Sequence, residues 1–129
     1  MSLLTKDQIL NADDLQTKDV YVPHWKGTVR IRTMTAGERD LFEQLMFSGQ
    51  NKDERRDNVR ATMLALTVVD GKDNRLFTED HIKKLKGKSA AAVDKIFAEV
   101  QKLNAVSDED VEDMVKNSEG TPGGSSDGE

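Results

Sequence analysis

The chain has 129 residues, 36% apolar and 33% charged, which bounds it to one domain with a small core and a heavily charged surface. It contains no cysteine, which excludes disulfides, thiolate catalysis and cysteine-ligated metal, and no apolar run approaches the about 18 residues of a membrane span. Net charge is −5 and unevenly placed: eight carboxylates against Lys116 give residues 107–129 a charge of −7, leaving +2 on residues 1–106. An acidic end repels phosphate, so broad nucleic-acid affinity is not expected. No basic segment followed by an apolar one opens the chain, and a cytoplasmic location is expected.

Thr5-Lys6-Asp7-Gln8 reads as a capping box, with Leu4 and Ile9 at staple positions, and predicts a short helix to about Leu10. In "DVYVPHWKGTVRIRTMT", Val20, Tyr21 and Val22 favour a strand that Pro23 confines to an edge or an end. Lys26-Gly27 reads as a turn. Val29 and Ile31 then alternate with Arg30 and Arg32 at the two-residue period of a half-buried strand. The expectation is a β-hairpin at about 19–33, resting on helices because a lone hairpin is marginal in water.

Thr35-Ala36-Gly37-Glu38 is a second capping box, followed by an apolar stripe of Leu41, Phe42, Leu45 and Met46 that ends at Ser48-Gly49. Asn51 or Asp53 caps the next helix. Its inward positions are Val59, Met63 and Leu66, with Ala61, Ala65, Val68 and Val69 filling in, and Asp70-Gly71 turns the chain. Phe77-Thr78 starts a further helix, with Phe77 and Ile82 as its staple and Gly87 as its stop. Ser89 caps the strongest stripe, Val93, Ile96, Phe97, Val100 and Leu103. Ser107 opens a last helix through Val115, acidic in its first turn as the helix dipole favours. The fold class is mainly α, with five to six helices and one N-terminal hairpin in residues 1–117. Residues 118–129 have no large apolar side chain and are expected to form a disordered acidic tail.

Catalytic signatures are missing from the sequence. Gly87-Lys88-Ser89 ends like a P-loop, but Ile82 stands where the motif needs its first glycine. In Asp70-Gly71-Lys72-Asp73-Asn74 the glycine comes too early for a calcium loop, and a plain turn is expected. His24 and His81 lie in different elements; His24 reads as a loop residue and His81 as a surface residue in a helix's first turn. Arg55, Arg56 and Arg60 are interleaved with Asp53, Glu54 and Asp57, the pattern of a solvated, ion-paired face rather than a phosphate-binding one. No catalytic, cofactor-binding or metal-binding residue is assigned. Tyr21, Pro23 and Trp25 stand apart, since the only Tyr and the only Trp fall within five residues. They either cap the small core locally or form a protein interface, together with Arg30 and Arg32 on one hairpin face.

The order of these pieces resembles the tail assembly chaperones of long, flexible-tailed bacteriophages and prophages. The likeness is carried by "LTKDQILNADDLQTKDVYVPHWKGTVRIRTMTAGERDLFE", "ALTVVDGKDNRLFTEDHIKKLKGKSAAAVDKIF" and "LNAVSDEDVEDM". It covers residues 4–117, with Ala36 and Gly37 in exchanged order relative to the family's pattern. The resemblance implies a non-enzymatic protein without cofactor, acting in the host cytoplasm. It would coat the tape measure protein, recruit tail tube subunits and be missing from the mature virion. A coat must also self-associate, for which the hairpin edge at Tyr21 and Trp25 is a reasonable place. The alternative is a head–tail or tail component that stays in the virion. The resemblance further implies a −1 ribosomal slip near the end of the gene. Val115-Lys116-Asn117 can be written GTA AAA AAC, which contains a slippery heptamer, and the gene's nucleotide sequence decides whether it is.

Overall fold

The computed structural model describes residues 2–47 and 52–119. Six helices and a three-stranded antiparallel sheet fall within them, in the order α1 (Lys6–Leu10), β1 (Thr17–Val22), β2 (Gly27–Arg32), α2 (Ala36–Phe47), α3 (Lys52–Thr67), β3 (Val68–Val69), α4 (Ile82–Leu85), α5 (Ala90–Asn104) and α6 (Asp108–Glu119). The mainly helical class with an N-terminal hairpin is therefore observed. Residues 120–129 of the expected tail lie outside the described residues. Ser118 and Glu119 continue α6 rather than beginning a tail.

The helix starts follow side-chain chemistry. In α1 the Thr5 hydroxyl accepts from the Gln8 amide at 3.2 Å, and Gln8 Oε1 accepts from the Thr5 amide at 2.8 Å. Thr35 and Glu38 repeat the exchange at 3.0 and 2.9 Å before α2. Ser107 and Asp110 do so before α6, at 3.0 and 2.9 Å. Each exchange satisfies two amides that the first helical turn would otherwise leave unpaired. Before α4, His81 takes the part of the usual carboxylate. Its Nδ1 accepts from the Thr78 amide at 2.9 Å, across the 3-10 turn Glu79–His81. The ring also meets Phe77 edge-on at 5.7 Å, and His81 sits half-buried at the surface.

The sheet has the order β1-β2-β3. In the hairpin Val20 faces Val29, Lys18 faces Ile31 and Asp19 faces Arg30. This register sends Val20, Val22 and Ile31 into the core and turns Arg30 to the other face, as the alternation predicts. The hairpin connection is longer than a Lys26-Gly27 turn: Pro23–Trp25 make a 3-10 turn, and Lys26 then takes a left-handed conformation at φ 53°.

Val68 and Val69 are a correction. They leave the helix and pair with Ile31 and Arg30 as β3. Asp70 drives the reversal, its Oδ1 accepting from the amides of Lys72 at 2.8 Å and Asn74 at 3.1 Å. That turn brings Arg75 back beside Val69 and lets the Leu76 amide donate to the Val68 carbonyl at 3.0 Å.

α3 is the centre of the molecule, with α2, α4, α5 and α6 all packed on it. Every residue from Ala61 to Val69 is buried. Thr62 and Leu64, which the one-sided stripe leaves out, are as buried as the predicted Met63 and Leu66. The buried Thr67 hydroxyl finds its partner in the Met63 carbonyl at 2.8 Å. α5 supplies Val93, Ile96, Phe97 and Val100 to the core, and Val111 and Met114 of α6 pack against it.

Candidate interaction surfaces

The five residues singled out in the hairpin separate into three environments. Tyr21 stands on the outer face of β1, 57% exposed, opposite Thr28. Trp25 closes the 3-10 turn at the hairpin tip and is 38% exposed, with exposed Pro23 at the start of the same turn. The tip rests on α5, which holds this aromatic end in place.

Arg30 is half-buried on the outer face. Its Nε donates to Asp19 Oδ1 at 2.8 Å, and an Asp73 carboxylate oxygen lies 3.5 Å from its second arm. Hydrogen bonding from Arg30 holds the Asp19 carboxyl below its usual range. Arg32 turns inward. One guanidinium nitrogen donates to both Glu38 oxygens, at 2.8 and 2.6 Å, and another to the Asp73 carbonyl at 3.0 Å. Only 13% of the Arg32 side chain and 14% of Glu38 remain exposed. The pair ties the sheet to the start of α2, where Glu38 also caps Thr35. The structure thus leaves Tyr21, Pro23 and Trp25 at the surface, engages Arg30 with two carboxylates and commits Arg32 to the fold.

The other candidate residues are accounted for locally. Ser89 caps α5, its hydroxyl accepting from the Ala92 amide at 3.4 Å, and the Gly87 before it follows a helix, unlike a P-loop glycine. Arg60 pairs with Asp94 at 2.9 Å. The side chains of Arg55 and Arg56, with those of Asp53, Glu54 and Asp57, lie outside the described residues. His24 is exposed in the hairpin turn. Among the described residues, no group of three or more His, Asp or Glu side chains is placed to hold a metal ion, and no helix is long and apolar enough to cross a membrane. On β1, Lys18 pairs with Glu99 of α5, and this contact is the chief reason the Glu99 carboxyl sits below its usual range.

A surface that the sequence did not single out lies at the N-terminus. No residue of α1 is buried, and the expected Leu4–Ile9 staple covers neither side chain: they are 70% and 57% exposed. Leu3 at 87%, Leu10 at 72% and Leu15 at 36% extend the same apolar arm. The sequence carries a signal for it, since five large aliphatic side chains in so short a stretch exceed what one short helix needs to anchor itself.

No family model matches the chain, and no curated protein matches it in sequence. Among solved structures, the tail assembly chaperone of bacteriophage HK97 is similar over 75% of this chain and 94% of its own, with 17% identity and a TM-score of 0.57. The chain has the fold of that chaperone.

Proposed function

We propose that this protein is a phage tail assembly chaperone that acts by binding and carries out no reaction. The observation that carries the reading is the fold shared with the HK97 chaperone along almost that protein's whole length. The ordered sequence blocks of residues 4–117 point to the same family independently of the structure. In this reading the protein coats the tape measure protein in the host cytoplasm, keeps it soluble and brings tail tube subunits to it. It then leaves before the particle is complete. The exposed aromatics of the hairpin, Tyr21 on the outer face of β1 and Trp25 in the turn at its tip, are the surface offered to these tail proteins, since amphipathic rings held on a rigid hairpin bind at small entropic cost. Deleting the gene should abolish tails, while mass spectrometry of purified wild-type virions should not detect the protein. Stoichiometric protein in the virion would instead make it a retained head–tail or tail component.

A further inference from the structure

We propose that the groove between α3, α4 and the start of α5 is a docking site for an acidic amphipathic helix of another protein. Its floor is apolar, made by Ala61, Leu85 and Val93, and its rim carries Arg60, Lys86 and Lys88. Asp94, the acid in the lining, is already paired with Arg60 at 2.9 Å. Residues 82–93 hold four lysines, Lys83, Lys84, Lys86 and Lys88, and no carboxylate, in a chain of net charge −5. All four are exposed, and among the described residues none of them belongs to an ion pair. Like charges this close repel one another, so an anionic partner relieves the patch. The groove also opens at the first turn of α5, a 15-residue helix whose amino end carries partial positive charge and has no acid of its own in that turn.

The shape selects the kind of partner. At about 250 Å³ the groove is smaller than the about 300–1,000 Å³ of pockets that enclose a small molecule, and it suits a few side chains of a larger partner. Its lining holds no aromatic ring on which a base could stack, and an aliphatic floor offers nothing to a phosphate backbone. A protein is therefore favoured over a nucleic acid. The walls are helices, whose backbone groups are bonded within each helix, so an extended peptide would leave its own amides and carbonyls unpaired there. A helix arrives with its backbone satisfied. It places aliphatic side chains on one face for the floor, and carboxylates at the edges of that face for Lys86, Lys88 and the start of α5. The acidic helix of this chain, α6, is already committed, since Val111 and Met114 pack it against the core beside α2 and α3. None of the hairpin residues takes part, so the docking site stands whether or not the hairpin serves tail proteins.

The test uses the full chain and two labelled synthetic peptides of about 16 residues, long enough to hold a helix. One carries leucines at helical spacing flanked by glutamates; the other has lysine in place of every glutamate. Fluorescence anisotropy should show saturable binding of the glutamate peptide, weakened by salt, and no binding of the lysine peptide. Lys86→Glu with Lys88→Glu should weaken the glutamate peptide by about tenfold or more, through lost attractions and new repulsions, and should admit the lysine peptide. Ala90→Glu approaches the groove from its other side. It sets a carboxylate at the mouth and should also weaken the glutamate peptide, while an acid in a first helical turn leaves the fold intact. All three positions are exposed, so far-UV circular dichroism should match the parent. The proposal is overturned by a glutamate peptide that does not bind, or that binds both variants as it binds the parent. It is equally overturned if glutamine in place of every leucine leaves the affinity unchanged. A lysine double variant whose own mass shifts in sedimentation velocity, with peptide affinity unaltered, would assign the groove to a second copy and overturn it too.

Discussion

Replacing Phe42 with Ala destabilises the protein by about 3–5 kcal/mol, the range for truncating an aromatic side chain in a packed core. Phe42 is fully buried on α2, between a helix start fixed by Glu38 and the central α3. Neighbours held from several sides cannot collapse into the space, so the cavity term adds to the lost transfer free energy. Phe97→Ala, at the centre of the strongest stripe, falls at the lower end of that range because Phe97 keeps 8% of its surface exposed. Urea denaturation followed by far-UV circular dichroism measures both. A cost under about 1 kcal/mol for Phe42→Ala, the scale of a surface substitution, would place that side chain outside the core.

Glu38→Ala has a comparable effect for a different reason. It strands the guanidinium of Arg32, whose side chain is only 13% exposed, and opens the cap on Thr35. Breaking a buried ion pair from one side costs about 3–5 kcal/mol, because the remaining charge stays desolvated without its partner. Arg32 Nε already lacks a hydrogen-bond partner, so the environment has little left to offer that charge. Glu38→Gln should cost less, since the amide oxygen can still accept from the Thr35 amide. A double substitution, Arg32→Met with Glu38→Gln, should recover part of the loss by removing the stranded charge. If Glu38→Ala costs no more than the about 0.5 kcal/mol of an exposed pair, the bridge is a surface contact.

Local chemistry was readable in the sequence, and non-local pairing was not. The exchanges at Thr5 with Gln8 and Thr35 with Glu38 need only residues three apart, and the structure forms both. Val29 and Ile31 declare their face by alternation alone. Val68 and Val69 continue the apolar pattern of α3, and only the distant partners Arg30 and Ile31 make them a strand. Thr62 and Leu64 escaped because a single apolar stripe describes a surface helix, and α3 is surrounded. The interface residues divide in the same way. Tyr21 and Trp25 are exposed as a binding surface requires, but Arg32 shares its face with Arg30 and still turns inward. The start of α2 and the loop carrying Asp73 fold over that end of the sheet, which alternation within one strand cannot reveal. The arm was missed for the opposite reason: a staple pattern was present at Leu4 and Ile9, and the fold leaves it uncovered.

The proposed function requires this protein to hold a long tail protein in solution. Co-expression with the tape measure protein of the same phage tests that directly. The soluble fraction of the tape measure protein should rise severalfold when this protein is present, and the two should co-purify with several copies of this chain per partner. A tape measure protein that is equally soluble with and without it, and no co-purification, would contradict the account.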